Sequence, residues 1–484
     1  MRSAAPRALR SAAGRRVAQS NSLFPSFSSP SSQSFTSSLG VPARTFSSTT
    51  CRREADKGDE PERQWSTPLA KQLGAAISAT GPVPLASYMR MCLTADVGGY
   101  YTGALEEGRD QFGLKGDFVT SPEISQIFGE LIGIWFVAEW MAQGRPSSGT
   151  ELIEVGPGRG TLMADMLRTI QSFPKMASSI DAIYMVEASA ELREAQKTLL
   201  CGPDATLSES KVGWHSVCKN MSIPVVWTDT IKSIPNSPSK TPFIVAHEFF
   251  DALPIHAFQC VSVPSPSPSP STNKPTLQWR ELLVSPTPPA PTRHALYLPE
   301  SSPRFRAIKT GTGAGAVIEI CPDASLYASD FAARIGGSAL HPKPRPSGAA
   351  LVLDYGPGDG SVPTNSLRGI RRHARVSPFA EPGLTDLSAD VDFAGIAEAA
   401  MQASEGVEVH GPVEQAGWLL GMGGQERAEV LMRAAGDKEA VEGAWRRLVE
   451  RGPNGMGRLY KVMAILPEGG GRRKPVGFGG EVVQ

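Results

Sequence analysis

The chain has 484 residues, 40% hydrophobic and 20% charged, with 49 glycines and 41 prolines. That composition excludes an intrinsically disordered chain and leaves room for two or three domains, or for one large α/β domain carrying insertions. Lys plus Arg and Asp plus Glu both total 48, so the formal charge is zero, and a basic surface for nucleic acid is not indicated.

The balance is uneven along the chain. Residues 1–53 hold no Asp or Glu, while Arg recurs at 2, 7, 10, 15, 16, 44, 52 and 53, and the first acid is Glu54. An Arg-rich, Ser-rich and acid-free start has the composition of a mitochondrial presequence, so residues 1–46 are read as one. The run Arg44-Thr45-Phe46-Ser47-Ser48 is similar to matrix processing sites. Loss of residues 1–46 removes six Arg and leaves 42 basic against 48 acidic side chains, a charge of about −6. Residues 47–66 then read as a charged connector and 67–148 as an N-terminal helical cap.

In that cap, Leu69 to Ala79 and Leu85 to Leu93 look helical, and residues 121–142 read as one buried helix. Ser121-Pro122-Glu123 opens it, with Ser to accept free backbone donors and Pro where no donor is needed. Apolar residues then repeat at Ile124, Ile127, Phe128, Leu131, Ile132, Trp135 and Phe136. No run reaches the roughly 20 apolar residues of a membrane span, the best candidate, Leu131 to Met141, being interrupted by Glu139.

Strands are predicted at Glu151 to Val155, Ala182 to Val186, Pro224 to Trp227, Phe243 to Ala246, Ala349 to Asp354 and Leu459 to Leu466. Helical stretches at Leu162 to Phe173 and Ala190 to Leu200 separate the first three, which argues for a mostly parallel sheet covered on both faces. The Ser-Pro run of residues 262–275 lacks apolar content and reads as a disordered loop lengthening a hairpin, because Thr276 to Val284 resumes the fold. Gln425 to Val449 suggests a helical pair before the last strand, and 467–484 a flexible tail. The six cysteines form no C-x-x-C pair, which suits buried thiols rather than disulfides or a zinc site. Asp386, Asp390 and Asp392 lack a convincing metal-ligand spacing and are read as the lining of an acidic mouth, with no metal expected.

Chemistry first shows in Glu154-Val155-Gly156-Pro157-Gly158-Arg159-Gly160-Thr161, a strand ending in a glycine turn that opens a helix. Glycines there let a ligand approach the backbone. A dinucleotide turn would want its third Gly at 161, where Thr stands. The third Gly is at 160 instead, and G-x-G-x-G after an acid resembles the first motif of S-adenosylmethionine-dependent methyltransferases. Glu187 follows the second strand, where a carboxylate can accept from both hydroxyls of a ribose. Glu154 is placed to orient the loop or to reach the methionine ammonium group.

A second constellation, Ala246-His247-Glu248-Phe249-Phe250-Asp251-Ala252-Leu253-Pro254, runs out of the fourth strand at the sheet's carboxyl end. If the methyl acceptor is a guanidinium, Glu248 and Asp251 are the candidates to hold its N–H groups, and His247 is a candidate to assist proton removal. Each acid has a structural alternative as a loop-capping residue.

Gly116-Asp117-Phe118-Val119-Thr120-Ser121-Pro122-Glu123-Ile124-Ser125, the Glu154 to Gly160 loop, the His247 to Pro254 string and Ala389-Asp390-Val391-Asp392-Phe393 together resemble the MidA-like methyltransferases. The likeness runs from about Leu69 to Leu466. It implies a class I (Rossmann-like) methyltransferase sheet in residues 149–466, with the helical cap before it and an insertion between strands 4 and 5. It also implies S-adenosyl-L-methionine as cofactor, and symmetric dimethylation, in the mitochondrial matrix, of an arginine on the hydrogenase-like peripheral-arm subunit of complex I, in support of complex I assembly. By the same likeness Thr120, Ser121 and Glu123 fold over the pocket, although a helix cap explains the bare residues equally well. The chain departs from the family pattern at Asn365-Ser366-Leu367-Arg368, where an acid followed by Thr is commoner, and at Ala374. Two alternatives stand beside this reading. One is an assembly chaperone that binds the cofactor without essential methyl transfer, and the other a nicotinamide oxidoreductase, which Thr161 disfavours.

Overall fold

A computed structural model describes residues 64–103, 117, 119–263, 276–285 and 313–480. The presequence and its processing neighbourhood, residues 47–63 of the connector, Gly116, Phe118, residues 264–275 of the Ser-Pro loop and residues 481–484 lie outside the described residues.

The sheet begins with β1 (Thr150–Val155) and β2 (Ile180–Val186), whose near-continuous apolar sequences suit burial on both faces. It continues with β3 (Ser208–Glu209), β4 (Trp214–Val217), β5 (Pro224–Thr228) and β6 (Thr241–His247). Between the fourth and fifth predicted strands, β7 (His256–Val263), β8 (Thr276–Glu281) and β9 (Val317–Ile320) form a separate antiparallel sheet in the order β9-β7-β8. β7 and β8 pair as the hairpin that the Ser-Pro run interrupts. After β10 (Ala349–Tyr355), the short strands β11 (Arg368–Arg371), β12 (Ala374–Val376) and β13 (Asp386–Ser388) make a third sheet. β14 (Val407–Glu414) and β15 (Tyr460–Pro467) complete the main sheet.

Among the described residues the main sheet has nine strands in the order β14-β15-β10-β6-β1-β2-β5-β4-β3. β10, β6, β1, β2 and β5 run parallel, and β15 enters antiparallel beside β10. The order reverses between β1 and β6, the switch point at which open α/β sheets leave a crevice. Besides the short β3 and β4, the main-sheet strand that the pattern of apolar residues did not give away is β14. Its sequence Val-Glu-Val-His-Gly-Pro-Val-Glu is polar at alternate positions, and its register shifts between His410 and Val413, as suits an edge strand.

One apolar core lies on each face. On one, Ile127, Trp135 and Phe136 pack with Met163, Met166 and Trp418. On the other, Phe331 of the helix Pro322–Gly336 packs with Ile396 of the helix Phe393–Ala403.

Four expectations need correction. Residues 121–142 are two helices, Ser121–Ile124 and Gln126–Ala142, because Ser125 is extended (φ −157°, ψ 133°) and its hydroxyl accepts the Ile127 N–H at 3.3 Å to start the second. The first of them has Thr120, not Ser121, as its N-cap. The second belongs to the main core rather than to a cap, and the described residues group as one compact unit. The stretch after Pro467, expected as a flexible tail, is tied down as far as residue 480: Arg473 pairs with the buried Glu139, and Trp135 Nε1 donates to the Val476 carbonyl at 3.1 Å.

Candidate active site

The glycine turn lies at the carboxyl end of β1. Gly156, Gly158 and Gly160 have φ of +66°, +53° and +82°, a region that costs any side chain. A Cβ on Gly156 would stand 2.7 Å from the Phe249 ring, and one on Gly160 would stand 3.2 Å from Gln196. Gln196 is a tie that sequence reasoning missed. Its amide donates to the Gly158 carbonyl (2.6 Å) and to Glu187 (3.2 Å), and its oxygen accepts from Trp227 Nε1 (2.9 Å). The signal was its place four residues from both Leu192 and Leu200 on the buried face of an otherwise charged helix.

Glu187, just beyond β2, also accepts the Ser189 N–H at 2.8 Å, and burial pushes its carboxyl up to about 7. A carboxylate has about four acceptor positions, and with bonds from the Ser189 and Ala188 N–H groups and from Gln196 one remains for a ligand. Glu154 is buried within β1, and its Oε2 finds no hydrogen-bond partner among the described residues. Burial raises its carboxyl well above the usual range, partly opposed by a bond from the Met163 N–H. An orphaned acid, a ribose-type acid and a turn that only glycine fits are the chemistry a cationic nucleoside cofactor requires, so these residues fit S-adenosyl-L-methionine.

The same cavity, of about 1150 Å³, continues to the loop that follows β6. Glu248 takes φ +48°, uncommon for a non-glycine residue, and its N–H donates to the Leu353 carbonyl at 3.0 Å. Asp354, fully buried at the end of β10, holds the next turn. Its Oδ2 accepts the N–H groups of Phe249, Phe250 and Asp251 at 3.2, 3.0 and 3.3 Å. Sequence reasoning took Asp354 only as the end of a strand, although an acid in an otherwise apolar strand was the available signal.

Burial, then repulsion from Asp251, pushes the Glu248 carboxyl up to about 8, against bonds from the Ser121 N–H and the Tyr460 hydroxyl. Asp251 accepts from the Tyr355 hydroxyl and is also raised, chiefly by burial. Glu248 Oε1 and Asp251 Oδ1 have no hydrogen-bond partner among the described residues. Burial pushes His247 down to about 3, so it is a neutral ring, packed edge-on to Phe128 at 5.0 Å. Its Nε2 lies 3.3 Å from Glu248 Oε1 but out of line for a hydrogen bond. That environment is unfavourable for a base.

The remaining predicted residues divide. Thr120 and Glu123 line the cavity; Glu123 reaches back to the Thr120 N–H at 3.5 Å and lies 3.8 Å from Arg159. Ser121 is buried behind the wall and acts through its N–H on Glu248. The acidic mouth expected from Asp386, Asp390 and Asp392 does not form. Asp390 pairs with Arg368 at 2.7 Å, and Asp392 caps a helix by accepting from Gly395 at 3.0 Å. Asp386 faces the cavity but is buried and accepts from Tyr101 at 2.9 Å.

Comparison with known proteins agrees with this geometry. Residues 131–413 match a family model described as S-adenosyl-L-methionine-dependent methyltransferase. The mitochondrial protein arginine methyltransferase NDUFAF7 of Rattus norvegicus is 37% identical over 432 residues, covering 88% of this chain and 91% of its own length. The Homo sapiens protein of the same name is 35% identical over 419 residues, covering 85% and 86%. A COG1565 superfamily member from Burkholderia thailandensis, solved with S-adenosyl-homocysteine, shares the fold at a TM-score of 0.61 and 24% identity, over 86% of this chain and 94% of its own.

Proposed function

From the premise that this chain belongs to the S-adenosyl-L-methionine-dependent methyltransferase family, we propose that it is a protein arginine methyltransferase of the mitochondrial matrix. Its product is symmetric dimethylarginine on the hydrogenase-like peripheral-arm subunit of complex I, and its role is in assembly of that complex. The names of the rat and human relatives support arginine as acceptor and the mitochondrion as location. The acid-free stretch of residues 1–53 supports the same location. The subunit and the symmetric product rest on the resemblance of the Ser-Pro-Glu-Ile-Ser and Glu-Phe-Phe-Asp-Ala-Leu-Pro strings to the MidA-like proteins.

One observation carries the chemistry: two buried carboxylates with unpartnered oxygens, Glu248 and Asp251, border the cavity that the glycine turn also lines. When bound, the cofactor supplies an electrophilic methyl on a sulfonium. Gly156, Gly158 and Gly160 would allow the cofactor its close approach to the backbone, Glu187 would accept from a ribose hydroxyl, and the unpartnered oxygen of Glu154 would be free to accept from the ammonium group. A guanidinium entering from the other side meets Glu248 and Asp251, whose free oxygens accept its N–H groups and fix one nitrogen toward the methyl. Alkylation at nitrogen releases one proton, and the Glu248 carboxylate, with its affinity raised to about 8, is placed to take it. Tyr355 and Tyr460 keep the two carboxylates in place through their hydroxyls.

The test is incubation of the chain with labelled S-adenosyl-L-methionine and the hydrogenase-like subunit, followed by peptide mass spectrometry, with Gly158→Val alongside. Label on an arginine, absent with the variant, is the expected result. Bound cofactor without label overturns the enzymatic reading in favour of the assembly chaperone.

A further inference from the structure

The cavity that holds the buried acids is rimmed by unpaired basic side chains, and the two charges are separated by depth. Four less deeply placed acids border the opening, and each already has an arginine. Asp229 is 2.7 Å from Arg193, Asp323 is 3.0 Å from Arg90, Glu123 is 3.8 Å from Arg159, and Asp390 is 2.7 Å from Arg368. Three further arginines border the same cavity with no carboxylate in ion-pair range among the described residues: Arg375, Arg447 and Arg458. All three are exposed.

They come from three separate segments. Arg375 stands on β12, next to the tight turn at Arg372 and His373, where φ is +49° and +61°. That hairpin is anchored by Asp117, whose carboxylate accepts the Arg372 N–H at 2.8 Å and whose carbonyl accepts the His373 N–H at 2.9 Å. Arg447 lies in the last turn of the helix Lys438–Val449, and Arg458 on the link into β15. Lys461 braces that link by donating to the Arg458 carbonyl and, at 3.0 Å, to the Leu459 carbonyl. The rim is therefore presented by braced segments, while the floor beneath it is formed by Glu248, Asp251 and Asp386.

A guanidinium passing this rim is repelled by it unless its own chain carries compensating negative charge. The floor selects a cation and the rim selects an anion, so the complementary ligand alternates in sign over a few residues. We infer that the acceptor arginine is presented within an acidic segment, with Asp or Glu on both sides of it, and that Arg375, Arg447 and Arg458 dock those flanking carboxylates. This inference rests on the reading of Glu248 and Asp251 as the guanidinium site. It adds the class of sequence that can reach them.

The test uses the full chain and three peptides that differ only in the residues flanking one arginine: acidic, amide (Asn and Gln) or lysine. Binding is followed by fluorescence anisotropy and methylation by labelled S-adenosyl-L-methionine. The acidic-flanked peptide is expected to bind about ten-fold more tightly than the amide peptide at low salt, and the lysine peptide more weakly than either. The preference should shrink as ionic strength rises. The variant Arg375→Glu/Arg447→Glu/Arg458→Glu should lose or invert it. Salt dependence on the unmodified protein is the second measurement, should the triple variant not fold. Equal binding of all three peptides at every salt concentration overturns the acidic-segment inference even if all are methylated. Binding with the acidic preference but without methylation supports the rim as described and overturns the arginine-transfer reading instead.

Discussion

The two ends of the cavity are built in opposite ways. The glycine-turn end is centred on one short stretch of chain and largely satisfied internally: Gln196 ties the turn to Glu187, and among the described residues Glu154 Oε2 is its one buried side-chain atom left without a partner. The acceptor end gathers the turn at Thr120, the loop from His247 to Asp251, Asp354 and Tyr355, Asp386, and Tyr460. It leaves Glu248 Oε1, Asp251 Oδ1 and His247 Nε2 all unpartnered among the described residues. An unpaired buried acid costs stability, and the cost is released when a cation arrives. One end is thus shaped for its ligand by backbone conformation, the other by withheld hydrogen bonds. Substitutions should separate the two.

The largest effect is expected at the glycine end. Gly158→Val places a β-branched side chain at φ +53°, which that residue type resists. Cofactor affinity should fall by about 100-fold or more, and methylation with it. Isothermal titration with S-adenosyl-L-methionine reads this directly, and retained affinity would mean that the turn does not form the cofactor cradle.

Glu248→Gln should act on the other end alone. The amide keeps the shape and can still accept from the Ser121 N–H, but it cannot carry negative charge against a guanidinium. We expect kcat to drop by about 10²–10³-fold with cofactor affinity unchanged. The unmodified enzyme should show kcat/KM rising with pH through about 8 as Glu248 ionises, and the variant should lack that limb. Unchanged turnover would remove Glu248 from the chemistry.

A smaller loss is expected at Asp354, a positioning residue. Asp354→Ala removes the acceptor shared by the N–H groups of Phe249, Phe250 and Asp251, so the loop that carries Glu248 relaxes. A displacement near 1 Å costs up to about 100-fold in rate, and Asp354→Asn, which keeps one acceptor oxygen, should recover part of it. The effect should appear in kcat rather than in cofactor binding. Equal loss in both variants would point to general unfolding instead of loop placement.

The same contrast explains what the sequence could disclose. The turn at Gly156 to Gly160, Glu187 and the five parallel strands are local patterns, in which spacing along the chain equals spacing in space, and all were legible. Glu248 and Asp251 were legible because they follow a strand at the sheet's carboxyl end. Asp354, Tyr355 and Tyr460 were not, because what joins them is the register of β10 between β6 and β15, whereas Asp386 was singled out only as part of an acidic mouth, its buried place on the cavity being set by β13. Ser121 was singled out for its side chain, but its backbone N–H makes the contact with Glu248, and no residue-type argument reaches a backbone donor. The acidic mouth failed for a related reason: a run of acids does not show which of them already has an arginine.

The smallest effect concerns stability, and its sign follows from the same buried acid. Glu248 holds its proton up to about pH 8 in the folded chain, against an ordinary value of 4.5. Between those values the folded state binds a proton that the unfolded state has released, so this group's contribution to stability declines as pH rises and levels off above 8. His247, Asp251, Glu123 and Tyr460 face the same carboxyl, and the other raised acids of the site, Asp386 and Glu187, tilt stability in the same direction. Comparison of variant with parent cancels those shared slopes. Glu248→Gln has no proton to lose, so its Tm relative to the parent should rise by about 2–4 °C between pH 5 and pH 9. A difference that stays flat across that range would show that Glu248 ionises in the folded protein at its ordinary value. Its unpartnered oxygen would then have to be met by water, and the acceptor end would hold no more unreleased cost than the glycine end.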